Sequence, residues 1–332
     1  MPKILILRFS SIGDIVLTTP VIRCIKQQVP GAEVHYATKQ AFKSILANNP
    51  YVDKIHLLGD SLKELVQQLK MENFDYVVDL HNNLRTRIIK TRLNKPNKSF
   101  YKLNYEKWLM VNFKLNRLPD VHIVDRYLDT AAALGVKDDG KGLNYFIPVQ
   151  DEVDIQTLPE AFWDGYVAFA IGAQHYTKRL PTERIIELCA GLNQPVILMG
   201  GKEDAVTGEE IASYFDTRHK THDVGQNESK TTIYNACGKY NLNGSASLVR
   251  QAKQVVSHDT GLMHIAAAFQ KDIISVWGNT IPEFGMYPFR TKYKVLEVNN
   301  LSCRPCSKIG YSKCPKGHFK CMRDISFKNL EM

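Results

Sequence analysis

Three short loops combine residue types that suit group transfer from a phosphate-linked donor. The first, residues 10–14, contains Ser11 and Gly13 and ends in the carboxylate of Asp14. It lies between a predicted strand and a predicted helix, so its backbone N–H groups can bind an anion, and we predict that Ser11 and Gly13 contact the donor. Asp14 either caps the helix or acts as a general base that accepts a proton from an acceptor hydroxyl.

The second loop, residues 172–181, carries the cationic pair Lys178 and Arg179 after a predicted strand. Cationic side chains at the carboxyl end of a strand suit a diphosphate, although surface charge alone explains many such pairs. We predict that Thr177 and Lys178 contact the donor.

The third loop, residues 258–268, places Thr260 and Gly261 at the start of a predicted helix. A hydroxyl and an unhindered N–H at a helix N-terminus form a phosphate cradle without a P-loop. Asp259 would repel a phosphate, so we expect it to cap the helix or orient the loop. His264 either packs inside the protein or contacts the diphosphate. We include Asp259 and His264 in the predicted donor site.

A fourth loop, residues 200–204, adds Gly201 and Glu203, which could approach ribose or sugar hydroxyls. A helix start with acidic residues in its first turn is the alternative. The chain has neither a G-x-G-x-x-G after its first strand nor a G-x-x-x-x-G-K-[ST]. These absences argue against a standard dinucleotide dehydrogenase and against a P-loop kinase or ATPase.

Strand and helix patterns alternate in two similar halves, which predicts the α/β class with parallel, doubly wound sheets. The predicted strands are residues 3–8, 33–37, 54–58, 76–80, 166–171, 195–199, 254–257 and 272–277. Polar and turn-rich residues near 140–159 separate the halves, so we predict domains at 1–152 and 153–332. Ligands bind beyond the carboxyl ends of the strands in such sheets, which is where the four loops lie.

The chain of 332 residues is longer than a single hydrophobic core usually holds. Its composition is that of an ordinary globular protein, with 44% hydrophobic and 23% charged residues. We find no membrane span and no signal peptide, and predict a cytoplasmic protein. The net charge of +9 favours an anionic partner. Basic residues concentrate over 85–117, with aromatic residues among the later ones. This stretch is either a solvated face or a surface for an anionic glycan or the inner membrane face.

Three segments together resemble glycosyltransferase family 9, which contains the ADP-heptose:lipopolysaccharide heptosyltransferases. They are K-I-L-I-L-R-F-S-S-I-G-D-I-V-L-T-T-P, T-K-R-L-P and H-D-T-G-L-M-H-I-A-A-A. The resemblance implies a GT-B fold, in which two Rossmann-like domains face a cleft, the first binding the acceptor and the second the nucleotide sugar. It also implies inverting, metal-independent transfer of a sugar from a donor such as ADP-heptose to a lipid-linked lipopolysaccharide core glycan, with no further cofactor.

The resemblance assigns roles to individual residues. Asp14 matches the proposed base, Lys178 matches the diphosphate-contacting lysine, and Thr260 and Gly261 match residues that bind donor phosphates. Residues 278–282 read G-N-T-I-P where relatives often carry G-P-T-D-P, which leaves the donor sugar open.

For the acceptor we select polar residues that follow a first-domain strand or lie on a later helix. An acidic acceptor would suit the two arginines, and a helix-surface or packing role is the alternative for each residue. The selected residues are His81, Asn82, Arg85, His122 and Arg126.

Two further interpretations remain open. Cys303, Cys306, Cys314 and Cys321 cluster near the C-terminus; the first pair has zinc-knuckle spacing and the second does not, so structural zinc, free thiols and a facultative disulfide are all alternatives. We assign no metal to the active site. A non-catalytic glycan- or nucleotide-binding protein of the same fold is the alternative function. The basic stretch gives some support to nucleic-acid binding, but no recognised motif accompanies it, so we predict no nucleic-acid partner.

Overall fold

The computed structural model describes residues 1–221 and 231–328, with the backbone alone for 218–221. The chain divides into two compact units. Unit 1 comprises Met1–Asn104 and Pro119–Pro148, and unit 2 comprises Tyr105–Leu118 and Val149–Met332. The segment Tyr105–Leu118 therefore belongs to unit 2, although unit 1 supplies the chain on both sides of it.

Unit 1 is built on a parallel sheet with the strand order β3-β2-β1-β4-β5 among the described residues. Its strands are β1 (Lys3–Leu7), β2 (Glu33–Lys39), β3 (Lys54–Leu58), β4 (Tyr76–Asp79) and β5 (Asn97–Ser99). The helices that begin in unit 1 are α1 (Ile12–Val16), α2 (Thr19–Gln28), α3 (Lys43–Leu46), α4 (Leu62–Met71), α5 (Leu84–Leu93), α6 (Asn104–Phe113) and α7 (Ile123–Leu128). All of α6 except its first residue belongs to unit 2.

Unit 2 contains a second parallel sheet, in the order β11-β10-β9-β6-β7-β8 over the part that the structure describes. Its strands are β6 (Val167–Ala170), β7 (Val196–Met199), β8 (Ile233–Asn235), β9 (Gln254–His258), β10 (Asp272–Trp277) and β11 (Tyr293–Glu297). Its remaining helices are α8 (Thr182–Leu192), α9 (Ala205–Thr221), α10 (Leu242–Gln251), α11 (Gly261–Ala268) and α12 (Lys320–Arg323).

Both sheets have the doubly wound order of a Rossmann-like domain, in which the first strand pairs with the second on one side and the fourth on the other. The order reverses between β1 and β4 in unit 1 and between β6 and β9 in unit 2. Ligands bind at such switch points, so the loops after these four strands are the candidate site. The predicted α/β class with two Rossmann-like domains is confirmed.

The apolar runs form the central strands because both faces of a parallel sheet are covered by helices. The last four residues of β1 are fully buried. Side chains cap several helices: Ser61 Oγ accepts the Glu64 N–H at 3.2 Å, and Asn83 Oδ1 accepts the Thr86 N–H at 3.0 Å. Strands β5, β8 and β11 were not predicted, since two have only three residues and the sheet-edge strands carry polar residues. No helix in the described ranges has the length and apolar character of a membrane span.

Candidate active site

Asp14 lies in the first turn of α1, directly after the loop that follows β1. The Ser11 hydroxyl donates to Asp14 Oδ2 at 2.7 Å, and the Ser11 backbone N–H donates to the same oxygen at 3.2 Å. The bond from the Ser11 backbone is the one that an acidic residue at the third position of a helix accepts in a capping box. Capping therefore accounts for the backbone contact of Asp14 Oδ2, one of the two oxygens of this carboxylate.

The other oxygen of Asp14 pairs with Arg8. The Arg8 Nη2–Asp14 Oδ1 distance is 2.6 Å, and the two side chains are only 9% and 19% exposed. Arg8 also donates to Ser10 O at 2.6 Å, Leu80 O at 2.5 Å and Tyr127 Oη at 3.0 Å. A guanidinium fixed by this many partners holds the carboxylate in one orientation and favours its ionised form.

His81 follows β4, on the other side of the unit 1 switch point. The Phe9 N–H donates to His81 Nδ1 at 3.4 Å, and Asp79 Oδ1 accepts the backbone N–H groups of His81 and Asn82 at 3.1 and 2.7 Å. Burial, with the nearby Arg8 charge, lowers the pKa of His81 to about 4. The ring is therefore neutral at pH 7, and because Nδ1 accepts, its proton is on Nε2. Unit 1 thus presents an ionised carboxylate and a neutral imidazole at the carboxyl ends of two neighbouring strands.

Lys178 occupies the corresponding position in unit 2, in a single 3-10 turn, Tyr176–Lys178, after β6. Its Nζ lies 2.5 Å from Asp259 Oδ2 and 3.4 Å from Asp259 O. The Thr280 hydroxyl donates to the same carboxylate oxygen at 3.1 Å. Asp259 follows β9, which pairs with β6. The ion pair therefore fixes the ammonium group at the switch point of the second sheet.

The N-terminus of α11 lies beside this ion pair in the sequence. Thr260 is the N-cap residue, and its hydroxyl lies 3.2 Å from Ser257 Oγ. Thr260 and Gly261 are half-buried, whereas His264 is buried within the helix. The first N–H groups of a helix have no partner within it and bind anions. Unit 2 thus combines a fixed ammonium with a helix N-terminus, which is suited to a diphosphate.

The loop after β7 is tied to the Lys178 loop by a second ion pair. Arg179 Nη1 lies 2.9 Å from Asp204 Oδ1, and the Gly201 N–H donates to Asp204 Oδ2 at 2.9 Å. Asp204 is buried, whereas Glu203 is exposed. A cavity of ≈ 380 Å³ adjoins the ion pair, a volume within the range of small-molecule pockets.

Comparison with known proteins shows which family contains the chain with these two clusters. The family model of glycosyltransferase family 9 (heptosyltransferase) matches residues 62–316. The chain belongs to glycosyltransferase family 9. It is accordingly an enzyme rather than a non-catalytic binding protein, and the predicted resemblance is confirmed.

Known proteins and solved structures are similar to this glycosyltransferase over most of its length. It is 26% identical over 303 residues to lipooligosaccharide heptosyltransferase 2 of Haemophilus influenzae, covering 85% of each chain. The glycosyl transferase family 9 structure from Veillonella parvula has a TM-score of 0.70 at 22% identity, covering 90% of this chain and 86% of that one. The E. coli ADP-heptose lps heptosyltransferase II has a TM-score of 0.67 at 20% identity, covering 97% and 98%. The structural likeness confirms the GT-B fold.

The remaining predicted residues of this glycosyltransferase occupy different environments. Gly13 is buried. Asn82 has a φ of +48° in the His81 loop, and Arg85 is exposed on α5. His122 is the buried N-cap residue of α7, where Nδ1 accepts the N–H two residues later at 3.2 Å. Arg126 lies on the same helix and donates to a backbone carbonyl at 3.0 Å. His81 and Asn82 are thus together at the switch point, and the roles of all these residues stay predictions.

Sequence reasoning missed the partners of the predicted residues. Arg8 ends the apolar run of β1, and a charge directly after such a run is a signal that could have been used. No feature of the sequence marks Tyr127 or Thr280 as a partner. The fold brings Tyr127 to Arg8 and Thr280 to Asp259. The sequence indicates the charge of Arg179, but only the fold shows that the buried Asp204 is its partner.

Proposed function

We propose that this enzyme transfers a heptose from ADP-heptose to a lipid-linked lipopolysaccharide core glycan, with inversion and without a catalytic metal ion. The observation that carries the proposal is the fixed Lys178 ammonium at the switch point of unit 2. The names of the relatives supply the donor and acceptor classes.

The donor diphosphate is assigned to the N-terminus of α11. Gly261 and Thr260 supply a backbone N–H and a hydroxyl, and Lys178 supplies the positive charge that balances the departing nucleotide diphosphate. Asp259 acts by orienting Lys178, because its carboxylate already accepts from that ammonium and from Thr280.

Further donor contacts are assigned to the other residues that the sequence selects for the donor. Glu203 is exposed and can accept hydrogen bonds from sugar or ribose hydroxyls, and Gly201 allows close approach. The remaining donor assignments are Ser11, Gly13, Thr177 and His264.

Asp14 is assigned as the general base. Its side chain is 19% exposed, so an acceptor hydroxyl can reach it. An ionised carboxylate that already accepts from Arg8 and Ser11 is a weak base, so proton transfer occurs late, after the bond between sugar and diphosphate is largely broken. The acceptor is assigned to His81, Asn82, Arg85, His122 and Arg126.

The acceptor is lipid-linked, so we also propose that this cytoplasmic enzyme contacts the inner membrane face through α6. This helix has no buried residues, and Tyr105, Trp108 and Phe113 are 64%, 50% and 58% exposed. Aromatic side chains beside lysines are typical of interfacial helices. Binding to vesicles that contain an anionic lipid should exceed binding to neutral vesicles, and Trp108→Ser should reduce it. Equal binding to both kinds of vesicle contradicts the membrane contact.

The catalytic test measures heptose transfer from ADP-heptose to lipopolysaccharide truncated in its inner core. Asp14→Ala should retain ADP affinity and lose transfer by about 10²-fold or more, the scale of general-base catalysis. Near-normal turnover removes Asp14 from the base role.

The donor test measures ADP binding by calorimetric titration. Lys178→Ala should weaken binding by about tenfold, the effect of losing one charged hydrogen bond. Lys292→Ala is the matched control. Lys292 also pairs with an aspartate, but it directly precedes β11 and so lies at the amino ends of the strands, not at the carboxyl ends where Lys178 lies. Equal affinities for the two variants contradict the assigned donor site.

A further inference from the structure

Two histidines lie side by side on one face of the unit 1 sheet. His35 is the third residue of β2 and His56 is the third residue of β3, and the pairing of these strands places His56 opposite Ala37. Successive side chains of a strand alternate between the two faces, so His35 and His56 share a face. The distance from His35 Nδ1 to His56 Nε2 is 2.9 Å, and both residues are buried.

Glu72 brings a carboxylate to the same place. It directly follows α4, and its Oε2 lies 3.9 Å from His35 Nδ1. The possible ligand atoms of His35, His56 and Glu72 all lie within 4.8 Å of one another. Two ligands of a tetrahedral zinc ion are about 3.4 Å apart, because each metal–ligand bond is about 2.1 Å long. Small rotations of the side chains therefore suffice to place all three atoms around one ion.

Glu33 fixes which nitrogen of His35 faces this group. Glu33 Oε1 lies 2.7 Å from His35 Nε2, and because a carboxylate only accepts hydrogen bonds, Nε2 is the donor. In the neutral ring the lone pair is then on Nδ1, the atom that faces His56 and Glu72. A histidine that binds a metal commonly donates its other N–H to a carboxylate, which sets its tautomer and orientation. His35 already has this arrangement.

Phe74 packs against both imidazole rings. Its ring centroid lies 5.1 Å from that of His35 and 6.1 Å from that of His56, and it meets each ring edge to face. Phe74 is itself buried. Because the two rings are already held in place, binding an ion costs them little conformational freedom.

We propose that His35, His56 and Glu72 bind one zinc ion through Nδ1, Nε2 and a carboxylate oxygen. Two imidazoles and a carboxylate suit zinc, whereas magnesium and calcium prefer oxygen ligands alone. Three protein ligands leave the fourth tetrahedral position to water. The ion takes the place of the hydrogen bond between the two imidazoles, and neutral His56 then carries its proton on Nδ1.

The zinc site lies at the edge of the sheet opposite to the candidate active site. β2 and β3 begin at Glu33 and Lys54, so the site is near the amino ends of the strands, whereas Asp14 and His81 follow the carboxyl ends of β1 and β4. The ion therefore takes no part in sugar transfer. It joins two neighbouring strands to the end of α4, and binding to the folded state alone should stabilise unit 1.

Two lysines compete with the ion for Glu72. Lys3 Nζ lies 3.2 Å from Glu72 Oε2, and Lys54 Nζ pairs with Oε1. The Lys54 side chain is 54% exposed, so it can turn toward solvent when the ion binds. An ammonium group repels a divalent ion and occupies the carboxylate, so Lys54→Met should bind zinc about fivefold more tightly.

The first experiment counts the zinc ions that the full chain binds under reducing conditions when zinc ions alone are added. All seven cysteines are free thiols, and thiolates also bind zinc, so the variants are compared by difference. His56→Gln and Glu72→Gln should each bind one ion fewer than the unsubstituted protein. His258→Gln, which replaces a buried histidine of unit 2, should bind the same number. X-ray absorption should show nitrogen and oxygen neighbours at about 2.0–2.2 Å for the ion that the variants lose.

The second experiment locates the ion by hydrogen exchange at the amides of β2 and β3. At free zinc about 100 times the dissociation constant, amides that exchange only after the site opens should exchange about 100-fold more slowly. Zinc should not slow them in Glu72→Gln. Lys54→Met should reach the same protection at about fivefold lower zinc. Lys39→Met, at the carboxyl end of β2, should need the same zinc as the unsubstituted protein. A gain in affinity cannot result from misfolding.

Four results overturn the zinc site. They are an unchanged number of ions in His56→Gln, the loss of an ion in His258→Gln as well, sulfur as the only neighbour of the bound ion, and exchange in β2 and β3 that zinc does not slow. In each case the three side chains form only a hydrogen-bonded network. Lys54→Met that binds zinc no more tightly than Lys39→Met also contradicts binding by Glu72. None of these measurements involves a nucleotide or a sugar, so they are independent of the proposed function.

Discussion

Replacing Asp14 with asparagine should destabilise unit 1 by about 2–4 kcal/mol, because it leaves the buried Arg8 guanidinium without its counter-ion. Opposite charges about 4 Å apart attract each other by about 4 kcal/mol at an effective dielectric constant of about 20. Asparagine keeps an oxygen for the Ser11 hydrogen bonds but carries no charge. The three hydrogen bonds from Arg8 to Ser10, Leu80 and Tyr127 remain, which limits the loss.

The assay must report on unit 1. The three tryptophans, Trp108, Trp163 and Trp277, all belong to unit 2, so tryptophan fluorescence does not follow this transition. Urea unfolding should therefore be followed by far-UV circular dichroism and by hydrogen exchange at the amides of β1 and β4. A lower midpoint with an unchanged m-value indicates a loss of stability.

A double-mutant cycle separates the ion pair from catalysis. Arg8→Met and Asp14→Asn together should regain most of the stability lost in Asp14→Asn, with a coupling energy above about 1.5 kcal/mol, but should not regain transfer. Asp53→Asn is the control, because Asp53 and its partner Lys26 are 34% and 28% exposed, and pairs of this kind contribute about 1 kcal/mol or less. Equal destabilisation by both aspartate substitutions, or strictly additive effects of Arg8→Met and Asp14→Asn, would refute the reasoning.

Two further predictions concern unit 2. Burial lowers the pKa of His258 to about 3, whereas a histidine in the unfolded chain has a pKa of about 6.5. The free energy of unfolding should therefore be highest above about pH 6.5 and should fall by about 1.4 kcal/mol per pH unit as the pH is lowered from there toward the folded pKa. Urea unfolding of His258→Gln, measured at about pH 7, 6 and 5, should show a free energy of unfolding that depends less on pH, because the variant lacks this proton uptake. A pH dependence equal to that of the unsubstituted protein contradicts the assignment. A Cβ on Gly278 would lie 2.8 Å from Thr177 O, so Gly278→Ala should lower Tm and weaken ADP binding. Gly59→Ala, where no atom lies within 4 Å, should change neither; equal Tm values for the two variants contradict the packing argument.

The sequence by itself determined the class of fold and the places where chemistry could occur. Apolar runs such as β1 and β9 form strands in any arrangement that buries both faces of a sheet. Loops that follow those runs must lie at the carboxyl edge. For this reason Asp14, Lys178 and Thr260 could be selected without coordinates, and the structure places each of them after a strand at a switch point.

Only the tertiary structure decided which side chains meet. Arg8 and Asp14 are close in sequence, but Tyr127 reaches Arg8 from over a hundred residues away, and Asp259 reaches Lys178 across two neighbouring strands. Such pairs depend on strand order and on the direction of each side chain, neither of which follows from local propensity. The same holds for the short edge strands, whose residues form a strand only because a neighbouring strand offers hydrogen bonds.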